Sequence, residues 1–429
     1  MKILPPLACA LLLGWAPASD IPPRFEAVSP FDGGLAAVKL ENRWGLLDKT
    51  GREMVLPRYE RVDAFQEGLA FVRFEGKLGV IDRTAREVVA PRYDEAQGYS
   101  EGLAWVKRGG NWGLIDRSGK VVVSLQYEEA RPFREGFAPV KAEGRWGFID
   151  RAGKALAAPR YEQVEAFSEG SARVKHGGKW GLLDRSGKPL AASRYDTIGP
   201  WAEGFAVVTR EGRCGFLDRT GKEGMLLAYD SLGELHEGLS VAILSGKCGV
   251  VDKGGQAVVA PRYEAIGAFQ RGLAPAKLKG IWGYIDRSGR EAIPVQYDFV
   301  EAFVDGLARV KLNGKIGLLD RSGKEIAAIR YEGIEAFSQN LAWAKLGGKW
   351  GLLDRLGREI LAPKYDDAGP FTDGFAPVKA GDRWGLVDRS GLEAVAPRFE
   401  QVGAIREGFL AVQAEGKWGF LDLAPLVKK

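Results

Sequence analysis

Twelve glycines keep one spacing through this chain. Gly45, Gly79, Gly113, Gly147, Gly181, Gly215, Gly249, Gly283, Gly317, Gly351, Gly385 and Gly419 follow one another at a constant step of thirty-four, with no insertion or deletion. A period of this size means that each unit is one supersecondary element, and that neighbouring units together bury a core that one unit cannot bury alone. Around each glycine the unit is regular. The preceding residue is Trp at Trp44, Trp112, Trp146, Trp180, Trp282, Trp350, Trp384 and Trp418, and Leu78, Cys214, Cys248 or Ile316 elsewhere. Three residues after the glycine stands aspartate in all twelve copies, from Asp48 through Asp116 and Asp184 to Asp422. Three further on stands glycine (Gly51, Gly119, Gly187) in ten of eleven copies, with Ala85 the exception.

The second half of the unit is equally constrained. After an apolar run, often with a proline, comes an aromatic residue. It is tyrosine in ten copies, among them Tyr59, Tyr93, Tyr161 and Tyr263, and Phe399 in another. An acid follows each time, from Glu60 to Glu400. Then come a second large residue (Phe65, Tyr99, Trp201, Phe371), a Glu-Gly turn and an apolar segment leading back to the next Trp-Gly.

Helical pairs repeat with the same period in tetratricopeptide arrays, but residue types reject them here. Each unit holds four to six glycines and often a proline, so no stretch is long enough for an amphipathic helix. The 58 glycines, about twice the usual share, speak instead for many turns between short strands. "LAAVKLE" and "WGLLD" read as a hairpin. "DRSG" reads as a type I turn with a bulge: the aspartate accepts a backbone N–H two residues on, and the glycine takes positive φ. A third strand such as "REVVA" ends at the proline. The Glu-Gly turn carries the same backbone demand, since the one copy without glycine has Asn340. The unit is therefore a three-stranded meander with a short return segment.

The expected fold is all-β: twelve 34-residue meander units stacked as an open superhelical array. A closed, propeller-like array is the alternative. It is disfavoured because so short a unit leaves little chain for a four-stranded blade, and twelve blades exceed the usual four to eight.

The pattern resembles the WG-repeat (KWG-repeat) family of bacterial proteins, from about Pro22 to Asp422. The resemblance implies a β-rich repeat protein, often exported or joined to other modules, and implies no particular ligand. Four copies depart from Trp-Gly, so the tryptophan is not a catalytic requirement.

Candidate chemistry is weighed against this regularity. The aspartates on one edge suggest calcium, but a basic residue follows the aspartate in eleven copies and would repel a cation. The tryptophans and tyrosines named above are expected in the core, where Trp→Ala would cost about 3–5 kcal/mol. Trp105, Trp343 and Tyr284, with Phe71, lie off those columns and are candidates to face outward and touch a ligand. Basic residues before the Trp (Arg43, Lys77, Arg145, Lys179) and before the Tyr (Arg58, Arg92, Arg160) are expected to pair with neighbouring acids. The net charge of +5, from 61 basic and 56 acidic residues intermixed, does not call for nucleic acid. No zinc spacing exists, so neither metal nor cofactor is expected. Cys214 and Cys248 occupy the Trp position of adjacent units and would be bridgeable only if each unit were a single solenoid rung.

The N-terminus reads as a secretory signal over residues 1–18: Lys2, an apolar run from Leu7 to Trp15, then Ala16 to Ala18. A lipoprotein anchored at Cys9 is the weaker reading. Residues 19–429 are expected to form one β domain, exported to the periplasm or beyond as a monomer with no transmembrane helix. Its expected work is non-enzymatic, an extended surface for another protein or an envelope glycan. The alternatives are an enzyme on envelope polymers, with its site in the irregular stretch Glu223 to Gly238 (Asp230, Glu234, His236), or a purely structural spacer.

Overall fold

The computed structural model describes residues 20–224 and 229–426; the expected signal segment lies outside them. The first complete unit shows the plan. Strands β2 (Ala27–Val28), β3 (Leu35–Leu40), β4 (Arg43–Asp48) and β5 (Glu53–Tyr59) form one antiparallel sheet in that order. The return segment is thus a fourth strand of two residues, paired Ala27 to Lys39 and Val28 to Val38. Two-residue links let a unit this short hold four strands. Glu41 and Asn42 (φ +50° and +61°) join β3 to β4, and Glu67 and Gly68 (φ +51° and +81°) make the same turn before the next unit's second strand. Positive φ at both residues is the turn whose twist matches a hairpin.

The invariant glycine is explained by close approach. β4 and β5 are in register at Leu46–Val55, and again at Trp44–Tyr59 after a bulge containing Pro57 and Arg58. The bulge folds the outer backbone over Gly45, where a Cβ would lie 2.4 Å from the Val55 carbonyl oxygen and 2.9 Å from Pro57 N.

Among the described residues eleven sheets have four strands and one, Thr197 to Asp218, has three. The last sheet corrects the open array. Its strands Gln401–Arg406, Phe409–Ala414 and Lys417–Asp422 are completed by β1 (Ile21–Phe25) from the other end of the chain. Ile21 pairs with Phe420 and Phe25 with Trp418, as Tyr59 pairs with Trp44. A Cβ on Gly419 would meet the Ile21 carbonyl oxygen at 2.4 Å, so the interlock at the junction repeats the one inside a unit. First and last units share a sheet, as the terminal blades of a β-propeller do and those of an open array do not. Closure was disfavoured on two grounds, a blade number above the usual four to eight and the premise that a blade needs four strands of ordinary length. A two-residue first strand removes that premise.

By contact the chain divides into two compact units, Met1–Leu125 with Glu335–Asp354 and Glu359–Lys429, and Gln126–Ile334 with Arg355–Arg358. In each, the core lies between consecutive sheets. In the first, Leu46 and Tyr59 of one sheet pack on Val72 and Ile81 of the next. In the second, Tyr284 and Tyr297 pack with Phe303 and Val310.

Candidate functional site

The acids that most resemble a binding site are occupied by the backbone. Asp48 Oδ1 accepts the Thr50 hydroxyl at 2.6 Å, Thr50 N–H at 2.9 Å and Arg52 N–H at 3.1 Å. Asp116 and Asp184 hold Ser118 with Lys120, and Ser186 with Lys188, in the same way. Gly51, Gly119 and Gly187 close these turns at φ +84°, +82° and +78°. The hydroxyl above all, helped by the N–H groups and opposed by partial burial, keeps these carboxyls below the ordinary aspartate range. Among the described residues no cluster of three or more His, Cys, Asp or Glu could hold a metal ion.

The acid after the tyrosine caps the second hairpin turn. Glutamates reach the second turn residue: Glu60 accepts Gly76 N–H at 3.3 Å and Glu400 accepts Gly416 N–H at 2.9 Å. The shorter Asp94 and Asp366 reach the first, Gly109 and Gly381, both at 2.9 Å. The basic residues before the Trp pair with these acids, Arg43 with Glu60 at 3.5 Å and Lys179 with Asp196, and Lys77 before Leu78 pairs with Asp94 at 2.6 Å. Those before the Tyr lie over its ring, Arg58 at 4.8 Å from the Tyr59 centroid.

A third set of contacts ties sheet to sheet. Glu135, in a Glu-Gly turn, accepts Gly170 N–H of the next turn at 2.9 Å and the Arg185 guanidinium at 2.7 Å. Glu67 accepts Gly102 N–H, Glu237 accepts Gly272 N–H, and Glu203 accepts both Glu237 and Gly238 N–H. Glu407 does the same to Gly33 and Gly34, with Lys49 at 2.9 Å. Sequence reading took the Glu-Gly glutamate only as a turn residue. Its signal was available: glutamate is a poor residue for positive φ, so its recurrence there asks for a side-chain role.

The aromatic positions divide. Tyr59, Tyr93, Tyr161 and Tyr263 are buried, as are Trp112 and Trp146; Trp44, Trp180, Trp282, Trp350, Trp384 and Trp418 are half-buried. The outward-facing candidates are corrected. Trp105, Trp343 and Tyr284 are 2%, 5% and 0% exposed. The Trp343 ring stacks on Phe371 at 5.9 Å, its N–H donating to the Gly369 carbonyl at 2.8 Å, and the Tyr284 hydroxyl donates to the Glu301 carbonyl. Phe71 stacks on Tyr99 at 5.7 Å. Alternation had put these side chains in water, but Phe71, Tyr284 and Trp343 pack on residues of the next sheet.

Both cysteines are buried free thiols, each directed at a backbone carbonyl, Cys214 at that of Asp230 and Cys248 at that of Glu264. In the irregular stretch, Asp230 accepts Ser245 N–H, and His236 and Glu234 are exposed. At the start of the stretch, Glu223 accepts the Tyr195 hydroxyl at 2.7 Å and two arginines, Arg194 and Arg210. Residues 225–228 of that stretch lie outside the described ones.

Two features remain open to a ligand. One is a cavity of about 580 Å³ in the first compact unit, lined by Asp32, Phe65, Asp373, Ile405, Arg406 and Glu407 among others. It lies where Ile405 stands in the second aromatic column. The other is the residue before each Glu-Gly turn. Its chemistry changes (Gln66, Arg134, His236, and Asp32, Val304 and Thr372 before the equivalent Gly-Gly and Asp-Gly turns), while its own N–H donates to the carbonyl three residues on at 2.8–2.9 Å in each.

A family model described as WG containing repeat matches residues 21–44, 44–77, 79–112, 112–146, 146–180, 180–214, 249–280, 282–315, 316–350, 350–384 and 384–418. The unmatched stretch between 214 and 249 contains the irregular one. No curated protein matches the chain. Solved structures similar to it include the extracellular domain of a hybrid two component system from B. thetaiotaomicron, at 10% identity over 94% of this chain and 69% of that one, TM-score 0.26. Another is PorZ, a surface component of the type-IX secretion system of Porphyromonas gingivalis, at 11% over 94% and 72%, TM-score 0.23. A third is Kluyveromyces lactis Hsv2p, at 10% over 62% and 96%, TM-score 0.27. Scores this low carry no argument.

Proposed function

Because the chain belongs to the family of WG containing repeat proteins, which the model matches along most of its length, we propose that it is a rigid, non-enzymatic binding scaffold for another protein. One observation carries the reading. The backbone at each Glu-Gly turn is held by the same pair of hydrogen bonds, 2.8 Å and 3.0 Å between Gln66 and Leu69, for example. The residue before the turn is not needed for that pairing and takes eight different types over the twelve copies. A framework that repeats while one surface position varies is how repeat proteins present a recognition surface. The acids and aromatics that suggested chemistry are consumed by turns and core, which supports a role without catalysis. Among the described residues no helix is long and apolar enough to cross a membrane. Export rests on the composition of residues 1–18.

Photo-crosslinking side chains at positions 66, 134 and 304 of the full chain test this reading. One common protein, lost when Asp32, Gln66, Arg134, His236 and Thr372 are all changed to Ser at unchanged Tm, is the expected result. Capture of an envelope glycan instead would reassign the ligand. Equal capture by the Ser variant would leave the chain a spacer.

A further inference from the structure

The inter-sheet clasp has one copy in which a base replaces the acid. Glu135 sits between Gly170, thirty-five residues on, and Arg185, fifty residues on. At the equivalent place the chain has Arg271, with Gly306 and Arg321 in the two partner positions. The turn itself is intact, with Asp305 and Gly306 at φ +48° and +86°. Arg321 still reaches over and donates to the Arg271 carbonyl. No carboxylate of the described residues accepts the Gly306 N–H, and a Cβ there would meet nothing within 4 Å. Arg321 Nη1 is buried with no hydrogen-bond partner. The one acid in the turn, Asp305, faces Arg355 at 3.6 Å.

We propose that this cradle, the Gly306 N–H flanked by Arg271 and Arg321, is a docking site for a glutamate side chain of a partner protein. The other copies support the chemistry. Glu67, Glu135, Glu203, Glu237 and Glu407 show that the turn N–H groups donate to a glutamate carboxylate, and in Glu203 both oxygens are used, at 2.6 Å and 2.7 Å. Replacing the internal acid by Arg271 does two things together. It empties the place and doubles the positive charge beside it. Paired guanidinium and N–H donors favour a planar carboxylate. A glutamate is favoured over a sugar acid because the cradle is shaped by the same two donors that hold a glutamate elsewhere in this chain. The inference deepens the binding-scaffold reading and rests on it.

The test uses the full chain, ¹⁵N-labelled, titrated with acetyl-Gly-Glu-Gly-amide, its Gln counterpart, and sodium glucuronate. The Glu peptide is expected to shift the Gly306 amide saturably, the Gln peptide not. Arg271→Ala is expected to weaken the response about tenfold, the loss of one charge-assisted contact. Arg271→Glu should abolish it by filling the cradle internally, with Tm unchanged or raised. No shift at Gly306, or equal response from the Arg271→Glu variant, would overturn the site. A stronger response to glucuronate would overturn the protein assignment. Failure here with position-66 crosslinking intact would sink this site alone, whereas loss of both would sink the scaffold reading.

Discussion

Glu407 holds Gly34 across 373 residues of chain, its Oε2 accepting the Gly34 N–H at 3.0 Å. The contact is the one Glu67 makes with Gly102 at 2.9 Å. The junction between the last unit and the first is therefore built like any other, by strand pairing and by clasp.

That equivalence can be measured. Phe25 is fully buried in the junction sheet, and Phe25→Ala is expected to cost about 3–5 kcal/mol. Glu407→Ala should cost about 1 kcal/mol, since the carboxylate is partly exposed and its contacts are screened. Urea unfolding of both variants checks the ratio. A Phe25→Ala chain as stable as wild type would mean that the first strand is dispensable.

Gly181 supplies the second prediction. A Cβ there would lie 2.7 Å from the Ala191 carbonyl oxygen and 2.8 Å from Ser193 N. Both are backbone atoms of the bulged outer strand, which cannot rotate away. Gly181→Ala is expected to destabilise by about 1–3 kcal/mol through overpacking. Trp180→Leu, at the half-buried residue beside it, should cost less, because Leu78 already occupies this column in another copy. Thermal melts of the two single variants decide the order.

Acid should act on the turns. Asp48, Asp82, Asp116, Asp184, Asp218, Asp286 and Asp320 all have lowered folded-state values, caused first by the Ser or Thr hydroxyl two residues on. A carboxyl lowered on folding adds stability in full above its unfolded value, about 3.9 for aspartate, and loses it as pH falls through the folded value. Tm is therefore expected to be flat from neutral pH down to about 5 and to fall steeply below about 4. Replacing the seven hydroxyl residues by Ala should raise the folded values of these aspartates, read by carboxyl NMR titration. Unchanged titration curves would contradict the hydroxyl's role.

Much of this was legible in the sequence, and the misses have physical causes. The period, the all-β reading, the hairpins and the Asp-Gly turns follow from residue types at fixed spacing, because turn chemistry is local. Closure was missed although its mark was present: Pro23-Arg24-Phe25 stands in the columns of Pro57-Arg58-Tyr59, so the first strand is the final strand of a unit. The fourth strand was missed because two residues carry no alternation. The outward placement of Trp105 and Trp343 failed because strand periodicity reports which residues share a face, and both faces here are covered. The clasp was missed because its partners lie in different units, and only its odd φ preference shows in one copy.

The cysteines give the last prediction. Burial pushes the Cys214 thiol up, and both thiols are covered. In the described chain two thiols should react with a disulfide reagent after denaturation, and slowly or not at all before it. Fast native reaction would place them at the surface.

Joining Ile21–Phe25 to Lys417–Asp422 also sets an order in time. On the ribosome the strand that completes the last sheet is made long before its partner. Every other four-stranded sheet can form soon after its own residues emerge, whereas this one must wait for nearly the whole chain. Closing so long a loop adds only a slowly growing entropic cost, but it does so at the final step. Until that step, Ile21 and Phe25 lack the cover of Phe409, Ala411 and Phe420. Lys417–Asp422 then emerges with an unpaired edge, so the growing chain carries one adhesive strand through almost all of its synthesis and gains a second at the close.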